Sequence, residues 1–90
     1  MSLAWTIEYT ASATNQLRKL DKQIARRIVD YMNGRVARAG QPRNLGRGLS
    51  GPLGELWRYW VGDYCVICDI QDHASRVLVV KIGRRDKVNQ

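Results

Sequence analysis

Residues 53–70 read LGELWRYWVGDYCVICDI and residues 76–88 read RVLVVKIGRRDKV, with the polar break QDHAS at 71–75 between them. Both runs are dense in β-branched and aromatic residues. Gly62-Asp63 and the 71–75 segment supply turn formers, so the stretch divides into three strands: about Leu53–Val61, Tyr64–Ile70 and Arg76–Ile82. Strands this closely joined form hairpins, and the sheet is antiparallel here. It ends in Gly83-Arg84-Arg85. Paired arginines at the end of a sheet, on a chain of net charge +7, suit a surface that holds phosphates and make nucleic acid the favoured partner class.

Strand alternation assigns the faces. Trp57, Tyr59 and Val61 form one row of the first strand, with Leu56, Arg58 and Trp60 on the other. In the second strand Tyr64, Val66, Cys68 and Ile70 make the apolar row, opposite Cys65, Ile67 and Asp69. The apolar rows are expected to bury themselves. Arg58, Trp60 and Cys65 are then expected on the open face, close to Arg84 and Arg85 and accessible to solvent.

Upstream, Leu3, Trp5, Ile7 and Tyr9 alternate as a half-buried strand does. Thr10 caps a helix over Ala11–Leu20, and Asp21 caps a second from Lys22 to about Ala39, whose inner stripe is Ile24, Ile28, Tyr31, Met32 and Val36. Gly40-Gln41-Pro42 ends it. The segment through Pro52 is a structured loop anchored by Leu45 and Leu49. The order β-α-α-β-β-β predicts one α+β domain over residues 1–90, a helical hairpin packed on a mainly antiparallel four-stranded sheet.

Fifteen Lys+Arg against eight Asp+Glu give a sequence pI of about 10.0. No run approaches the ~20 apolar residues of a membrane span, and MSLAWTIEYT lacks the features of a signal peptide; a cytoplasmic protein with no membrane partner is expected. Cys65 and Cys68, three apart on a strand, fall on opposite faces and are not expected to share a disulfide or an ion. His73, the single histidine, belongs to a turn, and Glu55, Asp63 and Asp69 read as turn and surface residues. Neither metal nor cofactor is expected. A metal-free ribonuclease needs a base for the ribose 2′-hydroxyl, fixed charge on the scissile phosphate and an acid for the leaving 5′-oxygen. Arg58, Arg84, Arg85, Lys81 and Lys87 offer the charge, but no base or acid stands out. Trp60 offers either a stacking platform for a base or a surface for a partner to cover. Chemistry alone supports phosphate binding better than cleavage.

The chain resembles the RelE/ParE toxin superfamily, and its RelE branch most. The resemblance is carried by the element order over nearly the whole chain and the helix string RKLDKQIARRIVDYM at 18–32. It is carried also by LSGPLGELWRYWVGDYCVICDI at 49–70 and the ending VLVVKIGRRDKV. It implies the toxin of a type II toxin–antitoxin pair that cuts mRNA in the ribosomal A site without metal, through 2′-hydroxyl attack. A cognate antitoxin is implied as partner, with operator DNA bound only through that complex. Arg58 and Arg85 match family arginines, Arg85 the one that contacts the scissile phosphate. Relatives commonly carry arginine at the positions of Trp60 and Cys65, histidine at Arg84 and tyrosine at Asn89. The resemblance therefore implies catalytic positions at Arg58, Arg85, Cys65 and Asn89 and RNA contacts at Arg84, Trp60, Lys81 and Lys87. It also implies that several substitutions have weakened the site, and that Cys65→Arg with Asn89→Tyr would repair it. Two alternatives stand beside this one: a ParE-like inhibitor of DNA gyrase, whose branch generally lacks the ribonuclease residues, and a non-catalytic module that binds antitoxin.

Overall fold

The computed structural model describes residues 4–49 and 55–85. Strand β1 (Thr6–Tyr9) leads into helices α1 (Ala11–Arg18) and α2 (Lys22–Tyr31). Both helix starts are capped as the sequence suggests. Thr10 Oγ1 accepts from Ala13 N at 3.0 Å and Asp21 Oδ1 from Gln23 N at 2.9 Å, each satisfying an amide that the first turn leaves without a partner.

Regular α2 stops at Tyr31, short of the expected end near Ala39. The chain continues as a wide π-helical turn over Met32–Val36, closed by Ala37 N donating to Met32 O at 2.9 Å. Asn33-Gly34 weakens the helical preference there. The extra residue in the turn lets Met32, Val36 and Ala37 all bury, and Ala37 O accepts from Trp5 N.

The remaining strands are β2 (Arg47–Gly48), β3 (Leu56–Val61), β4 (Tyr64–Gln71) and β5 (Arg76–Arg84), in the sheet order β1-β5-β4-β3-β2. The β3–β4 and β4–β5 ladders are antiparallel, and β1 joins β5 in parallel. The expected four-stranded sheet thus has a fifth strand. Arg47 and Gly48, within the segment read as a loop, pair with Arg58 and Trp57 along the free edge of β3. Two residues are too few to leave a periodic pattern, so the sequence carried no mark of them. The expected strand over 53–61 begins at Leu56; Leu3 and Leu53, placed in strands by the sequence, lie outside the described residues.

The core lies between the helices and one face of the sheet. Ala13, Ile28, Met32 and Val36 meet Tyr59, Val66, Cys68, Ile70, Val77, Val79 and Ile82, while Trp57, Val61 and Tyr64 pack at its margin. These are the apolar rows assigned by alternation. Leu45 also packs there, and its carbonyl accepts from Trp57 Nε1 at 2.6 Å. Fully buried Tyr59 donates from its hydroxyl to Pro42 O at 2.8 Å, and so ties the loop to the middle of β3. Tyr59→Phe should cost about 1–2 kcal/mol in urea unfolding, since it leaves a carbonyl unsatisfied without opening a cavity; an unchanged midpoint would show that water reaches Pro42.

The ladder between β4 and β5 slips once. Cys68 pairs with Val79 but Ile67 pairs with Lys81, so Val80 is an extra residue on β5. Straight alternation from the buried Val77 and Val79 would have aimed Lys81, Gly83 and Arg85 at the helices. The bulge reverses the parity. Ile82 instead enters the core, opposite Val66, and Lys81 and Gly83 move to the open face opposite Ile67 and Cys65. Beyond the end of β1, Gln16 of α1 closes this region: its Oε1 accepts from Ile82 N at 2.7 Å.

Candidate functional site

One end of the open face carries the basic cluster. Arg58 and Trp60 stand two apart on β3, hence on one face. Cys65 is the register partner of Trp60 on β4, and Gly83 that of Cys65 on β5. Just beyond β5, Arg85 N donates to Asp63 O at 2.9 Å, which fastens the end of the sheet across the β3–β4 turn. From there Arg85 places its guanidinium carbon 4.3 Å from the centroid of the Trp60 ring, and Arg58 places its own at 4.6 Å. Both are within cation–π range. Arg58 and Arg85, far apart in sequence, therefore meet at one indole.

Cys65 lies on the expected face but is not accessible: its exposure is 0%. Alternation gives a direction, not a depth. Its neighbours here are the long side chains of Trp60, Arg58, Arg85 and Lys81, among which a side chain as short as cysteine does not reach solvent. Burial pushes the thiol up from its ordinary value, against the pull of Arg58, Arg85 and Lys81. The thiol is therefore protonated at neutral pH, a form that is a poor base and a poor nucleophile. The same three cations define the electrostatics of the cluster, a positive zone over a buried neutral group.

Other candidates separate. Arg84 pairs with Tyr64, on the row that faces the helices, so the two terminal arginines expected side by side diverge, and Arg85 stacks on Trp60. Lys81 is exposed on the open face. Lys87 and Asn89 lie outside the described residues. His73 is an exposed residue of a 3-10 turn over Asp72–Ala74, as the sequence suggested, and Cys65 and Cys68 are both free and buried. What the sequence did not reveal is the bulge at Val80. Its only trace is the pair Val79-Val80 followed by Lys81-Ile82, where the alternation breaks.

Two clefts lie among the described residues. One, of about 370 Å³, sits at the far end of the β3–β4 hairpin, where Glu55, Asp69 and Asp72 face Arg43. Arg43 and Asp72 form a two-pronged salt bridge there, both contacts at 2.9 Å, which holds the Asp72 carboxyl below its ordinary value. The other, of about 110 Å³, is lined by Ile24 and Arg27 of α2 and by Val61, Gly62 and Tyr64. No helix among the described residues is long and apolar enough to cross a membrane.

The family profile for the ParE toxin of the type II toxin–antitoxin system, parDE, matches residues 7–89. The toxin RelE of Mycobacterium tuberculosis is 33% identical over 79 residues, covering 88% of this chain and 79% of that protein. The chain belongs to the RelE/ParE superfamily of type II toxin–antitoxin toxins. Solved structures agree on the fold. The toxin–antitoxin complex RelBE2 of M. tuberculosis superposes with a TM-score of 0.85 at 24% identity, over 94% of this chain and 95% of that one. The archaeal RelE–RelB complex of Pyrococcus horikoshii gives 0.69 at 19% identity, over 97% and 99%. Within this RelE/ParE frame, the Arg58–Trp60–Arg85 stack occupies the end of the sheet.

Proposed function

We propose that this toxin acts on RNA as a ribosome-dependent mRNA endoribonuclease with a weakened site. The convergence of Arg58 and Arg85 on Trp60, with Lys81 nearby on the same face, carries the reading. Two fixed guanidiniums can hold a scissile phosphate and offset the charge that gathers on it as the 2′-oxygen attacks. Proton transfer is the weaker half. Lys81 and a protonated thiol are among the described groups acting at the stack, and the family positions for histidine and tyrosine hold Arg84 and Asn89. Charge stabilisation without a placed base and acid gives slow cleavage. Its partners would be the ribosome and its mRNA, and a cognate antitoxin, through which alone it would reach operator DNA. The solved RelBE2 and RelE–RelB complexes support the antitoxin.

Primer extension on mRNA translated in a cell extract tests this. Added protein in excess should give A-site cuts, and Arg85→Ala should reduce their rate by about 10²–10³. Absence of cuts at high excess overturns the catalytic reading. The match to the ParE profile favours one second reading, inhibition of DNA gyrase. A supercoiling assay in which this chain blocks gyrase, with no mRNA cut, would establish it instead.

A further inference from the structure

The Trp60 ring, which the sequence offers as a platform for a base, is already engaged. Its centroid lies 4.6 Å from the guanidinium carbon of Arg58 and 4.3 Å from that of Arg85. A base stacking there would compete with the arginines for the ring. Two guanidiniums that share one ring lie within a Debye length of each other, about 10 Å at 0.1 M salt, so they repel. The negative face of the indole attracts both, which works against that repulsion. Cys65, the cross-strand partner of Trp60, is closed to solvent, and Arg85 N is held by Asp63 O.

We infer that Trp60 is a positioning residue: its indole holds Arg58 and Arg85 together as one divalent phosphate clamp, and Trp60 acts on RNA through the arginines, not by stacking on a base. The inference rests on the RNA-directed reading above and assigns Trp60 a role within that site. Each exposed cation–π contact is worth roughly two- to fivefold in an equilibrium, so loss of both should weaken phosphate binding about four- to twenty-fivefold.

The test is a double-mutant cycle read by fluorescence anisotropy. The probe is a short 2′-O-methylated single-stranded RNA, which lacks the attacking hydroxyl. Trp60→Leu keeps apolar cover over Cys65 but removes the π face, and Trp60→Phe keeps a π face. Trp60→Leu should weaken binding about tenfold, within the range above, and Trp60→Phe no more than about threefold, since one aromatic face remains. In an Arg85→Ala background, Trp60→Leu should keep only the part of its effect that acts through Arg58, because the share carried by Arg85 is already gone. A Trp60→Leu effect of equal size in both backgrounds overturns the inference, as does a Trp60→Phe as damaging as Trp60→Leu. Slow labelling of Cys65 by a thiol reagent confirms that each variant is folded and covered. Equal binding by wild type and Arg85→Ala would remove the RNA site itself. The clamp is then judged by arginine side-chain NMR. Ring-current shifts of Arg58 and Arg85 that persist in Trp60→Phe and vanish in Trp60→Leu support it, and shifts indifferent to Trp60→Leu overturn it.

Discussion

Gly46→Ala should remove roughly 2–5 kcal/mol of stability. Gly46 has φ +73°, and an L-residue placed in the left-handed region costs about 1–2 kcal/mol before any contact is counted. The added methyl has nowhere to go. It would collide with the carbonyl oxygen of Arg58 and lie 2.8 Å from Tyr59 Cδ1 and 3.0 Å from Trp57 Nε1. Two of these three atoms belong to backbone or to the fully buried Tyr59, so they cannot swing aside, and overpacking of this kind adds about 1–3 kcal/mol. Relief would require β2 to peel from β3, which breaks the short ladder of Arg47 and Gly48 and strains the bond from Trp57 Nε1 to Leu45 O. Small domains have only about 5–15 kcal/mol to lose. In urea the midpoint should therefore fall steeply with the slope unchanged. Gly34→Ala is the control: nothing lies within 4 Å of its Cβ, and it should melt at or slightly above wild type. Equal midpoints for the two variants would mean that the 41–49 loop is not held against β3 as described.

That loop also marks the boundary of what could be read from residues alone. The rows of β3 and β4 were legible, because each strand alternates cleanly over six or more positions and both caps have side chains with a known role. Trp57, Tyr59, Val66, Cys68 and Ile70 all turn toward the helices as alternation requires. β2 was not legible, since Arg47-Gly48 pairs through backbone that any residue could supply. The bulge at Val80 was not legible either, because Val79 and Val80 are both apolar and either suits a buried place. Yet the bulge decides the site. It delivers Lys81 to the open face, leads the chain toward Trp60 at Arg85 and sends Arg84 to the other side. Within the site, face and depth came apart at Cys65. Parity placed it correctly, but covering depends on what the neighbouring long side chains do, and Arg58, Trp60 and Arg85 chose one another over solvent.

Cys65→Arg, which the family pattern suggests as half of a repair, should instead unfold or severely weaken the protein. Cys65 is 0% exposed, so the new side chain must either stay under the indole or force it off. If it stays, a guanidinium is buried with Arg58, Arg85 and Lys81, the three cations already acting on this position, and no carboxylate is among the groups shown to act on it. An uncompensated buried charge costs on the order of 3–5 kcal/mol, to which the larger volume adds. If it forces the indole away, the Arg58–Trp60–Arg85 stack is lost and the new charge replaces an ordered pair with a disordered trio. Either way Cys65→Arg with Asn89→Tyr should fail to restore growth arrest, and thermal melts of Cys65→Arg should show the loss directly. Removing the cover along with the cysteine distinguishes the two causes. In Trp60→Gly with Cys65→Arg, the arginine can extend to solvent with its stem along the sheet, and a good part of the lost stability should return. A Cys65→Arg protein that melts like wild type, and arrests growth in a manner that Arg85→Ala abolishes, would mean that the cover opens at little cost. The site would then be a more open arginine surface, with Trp60 a lid that the substrate displaces.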